Sequence, residues 1–355
     1  MRLGSKSVAG LGSKPLVGLD IEPGYVAAVQ GAPGRVAVDQ AAYAQLPSGV
    51  VRDGEVQDVA TLTAVLKDLF EQHKLSKRVR LGVANQRIVM RMIDLPPLID
   101  EKQIASAVRF QAQDHIPMPL DQAVLEHKTL GTVETAEGPR TRVVLVAARR
   151  DMIDRLVQAA LGAGLRPQGI DLSAFAMIRA LHRRGEAGTR VYVNVGGITN
   201  LAVASGLTCV FTRVIQQGVE SLAGELAERR GLTLEHAHAW LIHVGLEKTV
   251  EEIDGDEDIV LEARSVLVDG VRRVGDEVRN SLDFYSMQDG ADPVQQLVLT
   301  GPAIAIPGFS ERFGHQVGLE PEIGNVAEGR AGGFGGIDAG RLAVAAGLTV
   351  EEVAA

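Results

Sequence analysis

The sequence predicts an α/β protein of two lobes, on three observations. Short β-rich runs alternate with amphipathic helical stretches along most of the chain. Two segments far apart open alike, each with a strand, a small-residue turn and a returning strand, which points to an old duplication rather than a short-period repeat. The length of 355 residues, 46 % of them apolar, is enough for more than one core, and 4 % aromatic content makes those cores aliphatic.

Taken in chain order, residues 17–21 and 26–29 read as strands joined by the turn Glu22-Pro23-Gly24. A helix follows with Leu62, Val65, Leu66, Leu69 and Phe70 on one face. Residues 79–84 and 88–93 read as strands. A helix starts near Asp100, with Gln103 spaced as in a capping box, and stops at Ile116-Pro117-Met118-Pro119. Strands at 123–127 and 142–147 precede a helix that turns Ile153, Leu156, Val157, Ala160 and Leu161 inward. The second lobe opens with a strand at 191–195 and returns through 201–204 and 209–212. A long helix carries Val271, Val274, Val278, Leu282 and Tyr285 in one stripe, and a strand at 296–300 runs into Gly301-Pro302.

Composition excludes several functions. A net charge of −9 argues against nucleic-acid binding, which needs clustered Lys and Arg. The single cysteine, Cys209, rules out an intrachain disulfide and reads as a core residue in a strand. No apolar run approaches the roughly 20 residues that span a bilayer, and residues 1–14 read as a polar tail without a secretory h-region. His236, His238 and His243 flank Trp240, but helical neighbours two apart face different ways, so a surface or packing role is expected. Asp254-Gly255-Asp256-Glu257-Asp258 starts like a calcium loop, yet Ile259 and Ser265 stand where that loop needs Gly and Glu.

Three strand-to-turn segments are the candidate site: Gly18-Leu19-Asp20-Ile21, Asn194-Val195-Gly196-Gly197-Ile198-Thr199-Asn200, and Leu297-Val298-Leu299-Thr300-Gly301-Pro302. Such turns expose backbone N–H groups that can cradle phosphate, and a carboxylate such as Asp20 at a strand end can hold Mg²⁺ through water.

With these segments, the chain resembles the PilM family, the actin-like proteins of type IV pilus assembly related to the division protein FtsA. Further residues carry the resemblance: Asp94-Leu95-Pro96-Pro97-Leu98, Ala107-Val108-Arg109-Phe110-Gln111-Ala112 and Ile116-Pro117-Met118-Pro119-Leu120 in an inserted module, then Phe211-Thr212-Arg213-Val214-Ile215 and Arg279-Asn280-Ser281-Leu282-Asp283-Phe284-Tyr285. The resemblance implies an actin-like (ribonuclease H-like, duplicated) fold with four subdomains around a nucleotide cleft. Subdomain 1A would span 15–85, completed by 167–189 and 337–350; 1C, 86–166; 2A, 190–230 and 294–336; 2B, 231–293. It implies ATP with Mg²⁺ and little turnover, on Asp20, Glu22, Asn194, Gly196, Gly197, Thr199, Asn200, Gly218, Gly301 and Pro302, with Asp20 toward the metal. It also implies capture of the cytoplasmic N-terminal peptide of the inner-membrane protein PilN. Leu95, Pro96, Leu98, Phe110, Ile116, Pro117 and Pro119 are the docking candidates. PilO is an indirect partner and the pilus motor ATPases are further ones, at the inner face of the cytoplasmic membrane.

The departures from the family pattern gather at the nucleotide site. Glu22-Pro23-Gly24 stands where small residues and a lysine are usual, Asn194 where Asp is usual, Leu241 where a lysine is usual, and Pro302 removes a backbone donor. A carboxylate about 4 Å from a phosphate would cost roughly 4 kcal/mol at an effective dielectric near 20. Glu22 therefore either points to solvent or meets the metal, and the expectation is a weak or lost nucleotide site on an intact scaffold. Two competing functions stay open. A kinase of the same superfamily would use Asp171 as base. An FtsA-like division protein would carry a basic amphipathic helix at the C-terminus, where the chain here is short and acidic.

Overall fold

The computed structural model describes residues 15–31, 36–97, 100–183, 185–326, 334 and 336–350. The expected tail at 1–14 and the docking candidate Leu98 lie outside the described residues.

The first lobe begins with β1 (Leu16–Glu22), β2 (Tyr25–Gly31), β3 (Gln40–Gln45) and the short pair β4 (Val51–Arg52) and β5 (Glu55–Val56), followed by α1 (Val59–His73) and β6 (Arg78–Val83). Asp58 caps α1 by accepting the Thr61 N–H at 3.0 Å, and Leu62, Leu66, Leu69 and Phe70 form its buried face. An inserted module of β7 (Val89–Leu95), α2 (Glu101–His115), β8 (Ala123–Thr135) and β9 (Gly138–Arg149) makes its own three-stranded sheet. Its hairpin is far longer than the apolar runs suggested, because its ends alternate exposed polar residues. Asp100 caps α2 through the Lys102 N–H at 2.9 Å.

Helix α3 (Arg150–Gly162), counted with the module on sequence, buries Met152, Ile153, Leu156, Ala159 and Ala160 against the core of the first lobe. Leu161 falls on the far side of that stripe and is exposed, contrary to expectation. β10 (Arg166–Leu172) and α4 (Ser173–Leu181) complete the first pass.

The second lobe contains β11 (Thr189–Val195), β12 (Thr199–Ser205), β13 (Thr208–Ile215), α5 (Val219–Arg230), α6 (Leu234–Val244), the 30-residue α7 (Glu257–Ser286), β14 (Val294–Thr300), α8 (Phe309–Val317) and β15 (Pro321–Ile323). The chain then returns to the first lobe through α9 (Ala343–Leu348).

The two five-stranded sheets confirm the duplication. Their orders, β3-β2-β1-β6-β10 and β13-β12-β11-β14-β15, match strand for strand, with an antiparallel meander on one side and parallel strands on the other. α1 and α3 cover the outer face of the first sheet, and α5 to α8 that of the second. α4 and α9 fill the layer between the sheets, where Met177, Val344 and Leu348 pack on Tyr192, Ala202 and Val298.

That layer is tight. A β-carbon on Gly347 would lie 1.8 Å from the Ala176 carbonyl oxygen, and one on Gly18 would lie 1.9 Å from that of Ala345. Gly347→Ala is expected to destabilise the protein by at least about 1–3 kcal/mol through overpacking. Gly224→Ala, on a helix with nothing within 4 Å, is expected to be neutral or stabilising by up to about 1 kcal/mol. Thermal midpoints of the two variants check this ordering.

Candidate functional site

Residues two apart on a strand share a face, so β1 turns Asp20 and Glu22 the same way, into the junction between the lobes. Both are buried, 2 % and 3 % exposed. The turn that follows needs Gly24, whose φ of 86° lies in the left-handed region and whose β-carbon would meet the Glu220 carboxylate at 2.3 Å. Glu22 neither faces solvent nor stands free to meet a metal. Its Oε2 accepts the Gly197 N–H at 2.6 Å and its Oε1 accepts from Asn194 Nδ2 at 3.0 Å.

The first turn is thus bonded directly to the second, and the loops close around that bond. A β-carbon would sit 2.2 Å from Glu22 Oε2 on Gly196, 2.2 Å from the Pro23 carbonyl on Gly197, and 2.3 Å from the Gly196 carbonyl on Gly218. Thr199 donates its hydroxyl to the Gln217 carbonyl at 2.7 Å. From the third segment, Gly301 at φ 97° comes so near that a β-carbon would be 2.4 Å from Asn194 Oδ1, with Pro302 buried behind it. Nine of the ten cleft candidates converge here; Asn200 does not.

Burial pushes the Glu22 carboxyl up to about 7, against the pull of the Gly197 and Ile198 N–H groups and the Arg341 guanidinium. Burial, and then the Glu22 charge, push Asp20 well above the ordinary carboxylate range, and its Oδ2 has no hydrogen-bond partner. The Tyr25 hydroxyl is buried beside the Glu22 carboxylate, and Arg341 lies over the rings of Tyr25 and Tyr43 at 5.1 and 5.2 Å. Sequence reasoning missed Arg341, which no motif marks; the face shared by Asp20 and Glu22 was the available signal for an acid pair.

Asn200 is the cross-strand partner of Asn194 and belongs to a neighbouring space. A cavity of about 440 Å³ opens where the module meets both lobes, lined among others by Ile88, Arg91, Pro117, Leu172, Asn200 and Arg213. Asn200 is 1 % exposed, and neither its Oδ1 nor its Nδ2 has a partner. Of the docking candidates, Pro117 borders this cavity. Leu95 and Ile116 are buried in the module's own core, which removes them from any surface. Pro96 and Pro119 are exposed, and Phe110 is 68 % exposed.

The remaining candidates have structural roles. His238 faces Glu220 at 3.1 Å and His243 bonds the Asp254 carbonyl at 2.8 Å. Asp256 caps α7 through the Ile259 N–H at 3.1 Å. Cys209 donates to the Phe211 carbonyl and burial raises its thiol to about 12. Leu241 is core, and Asp171, the base a kinase would need, is paired with Arg179. Among the described residues no three His, Cys, Asp or Glu side chains gather as a metal site, and no helix is long and apolar enough to cross a membrane.

Two duplicated sheets facing each other across a cleft of strand-end turns define an actin-like protein. A family model described as type IV pilus assembly protein PilM matches residues 18–332, and the chain belongs to that family. A solved structure, the PilM-PilN type IV pilus biogenesis complex, is similar at a TM-score of 0.78 and 25 % identity, covering 94 % of this chain and 97 % of that one. Two structures share the fold at lower identity. The ethanolamine utilization protein EutJ from Carboxydothermus hydrogenoformans has a TM-score of 0.56 and 16 % identity, covering 96 % and 91 %. MreB5 of Spiroplasma citri bound to AMPPNP has a TM-score of 0.55 and 14 % identity, covering 95 % of both chains.

A nucleotide with Mg²⁺ is the group this fold implies, and the residues present do not fit it. The turns that would cradle phosphate touch one another, and β-carbons on Gly196, Gly197 and Gly218 would meet Glu22 Oε2, the Pro23 carbonyl and the Gly196 carbonyl. A phosphate there would meet two acids. Asp20, the candidate metal ligand, is pushed toward its neutral form.

The raised carboxyl has a sign. Glu22 holds its proton in the folded state up to about pH 7 and in the unfolded chain only to about 4.5. Its contribution is present below the unfolded value and lost as pH rises through about 7. Asp20 acts in the same direction; Tyr25, Arg341, Glu220 and His238 are the other ionisable groups around the turn. Carboxyls held low by partners, such as Asp94 by Arg142 and Asp151 by Arg149, act only at more acid pH. Thermal unfolding from pH 5 to 8 is expected to show a falling midpoint, and Glu22→Gln to flatten part of that fall.

Proposed function

We propose that this chain is a structural protein of type IV pilus assembly that captures the N-terminal cytoplasmic segment of a PilN-like inner-membrane protein. It would be held at the inner face of the cytoplasmic membrane through that partner. PilO would be reached through PilN, with pilus motor ATPases as further partners, and turnover of ATP is not the basis of its action. Family membership and the likeness to the PilM-PilN complex support the class of function. On the same likeness, the four-subdomain division set out from the sequence is carried as part of this reading, with α3 counted in the first lobe.

The single observation that carries the docking site is Asn200 in the cavity between the module and the lobes. A buried amide without partners costs about 1–3 kcal/mol. It offers a donor and an acceptor side by side, the complement of one peptide unit in an extended segment. Apolar walls from Ile88, Pro117 and Leu172 suit the flanking side chains, and Arg91 supplies positive charge, while Arg213 is ion-paired with Glu277. Phe110, Pro96 and Pro119 would extend the surface for a longer segment.

Fluorescence anisotropy with a labelled PilN N-terminal peptide tests this. Wild type is expected to bind in the micromolar range, and Asn200→Ala to bind at least about tenfold more weakly, equivalent to about 1.4 kcal/mol. Phe110→Ser separates cavity from outer module surface by a smaller loss. Unchanged affinity in both variants would place the docking site elsewhere.

A further inference from the structure

The lobes meet at the cleft as well as across the layer of α4 and α9. In this chain the bond across the junction is made by the protein itself. We propose that Glu22 is a built-in occupant of the phosphate cradle, so that the lobes are clasped without nucleotide.

The chemistry matches. A phosphate oxygen in such a cradle is an anionic acceptor taking backbone N–H bonds from a small-residue turn. Glu22 Oε2 takes the Gly197 N–H at 2.6 Å in that manner, from the opposite lobe. Its second oxygen takes the Asn194 amide at 3.0 Å. An aspartate at 194 could not donate, and would add a third acid beside Asp20 and Glu22. The two residues therefore answer each other.

The space matches as well. The Pro23 carbonyl closes on Gly197, Gly218 closes on the Gly196 carbonyl, and Gly301 closes on the Asn194 side chain. Glu220 backs the hairpin tip at Gly24, and Tyr25 with Arg341 forms the other wall. All three strand-end turns thus meet on the Glu22–Asn194 pair. A polyphosphate could enter only after the carboxylate has left.

The test is Mg-ATP binding to the full chain by calorimetry, with a thermal-shift assay alongside. Wild type is expected to show neither heat nor stabilisation at millimolar Mg-ATP. Glu22→Gly, which empties the seat, is expected to bind at least tenfold more tightly than wild type. Glu22→Gln keeps the shape of the occupant and is expected to stay refractory; a gain there equal to that of Glu22→Gly would overturn the idea that the side chain fills the seat. Micromolar binding by wild type, or a folded Glu22→Gly with no gain, would also overturn it. Should Glu22→Gly fail to fold, hydrogen exchange on the nucleotide-free wild type decides: slow exchange at the Gly197 and Ile198 amides is expected, and fast exchange refutes the clasp. Peptide affinity is read separately, so failure of the docking proposal leaves this result standing.

Discussion

The carboxylate of Glu22 reaches from the end of β1 into the turn after β11 and bonds the two lobes to each other at their strand ends. Everything near it is arranged around a buried acid. Removing a carboxylate from water is costly unless donors replace the water. Here a backbone N–H and an amide supply that replacement, and an arginine stacked on two tyrosines lies close enough to lower the cost. Asp20 next to it has one oxygen with no such help. The pair is tolerable because one or both can hold a proton.

The duplication explains why this spot is sensitive. Two copies of one sheet face each other across α4 and α9, and the turns at corresponding strand ends oppose one another. With small residues at those ends the turns leave a seat for a ligand. With Glu22 on one side and Asn194 on the other, they bond directly. The glycines then serve close backbone approach between lobes, as Gly347 and Gly18 serve it inside the first lobe, in the layer behind them. The cavity at Asn200 lies one strand away on the same sheet face, since Asn200 of β12 is the cross-strand partner of Asn194.

Much of the architecture was legible in the residues. The hairpin at Glu22-Pro23-Gly24, the stripe of α1, the long α7 and the alternation of strands with helices follow from periodicities of two and 3.6. The short β3 and β15 carry few β-branched residues or are too brief for a pattern, and the sequence does not announce them. The paired β8 and β9 extend past their apolar runs because hairpin bonding continues where side chains have become polar. Leu161 shows the limit of counting apolar residues, since a helix buries a stripe and not every leucine on it.

At the site, the sequence by itself determined which residue types stand at the strand ends, and that these differ from the family's pattern where phosphate is expected. The tertiary structure alone decided where Glu22 points, that Leu95 and Ile116 are core, that α3 packs on the core of the first lobe, and that Asn200 sits in a cavity with its amide unsatisfied. The reason is one of range. Helical stripes and strand alternation are set by residues a few positions apart, whereas the bond from Gly197 to Glu22 joins residues 175 positions apart. Its existence depends on two sheets packing across α4 and α9, which no local pattern encodes.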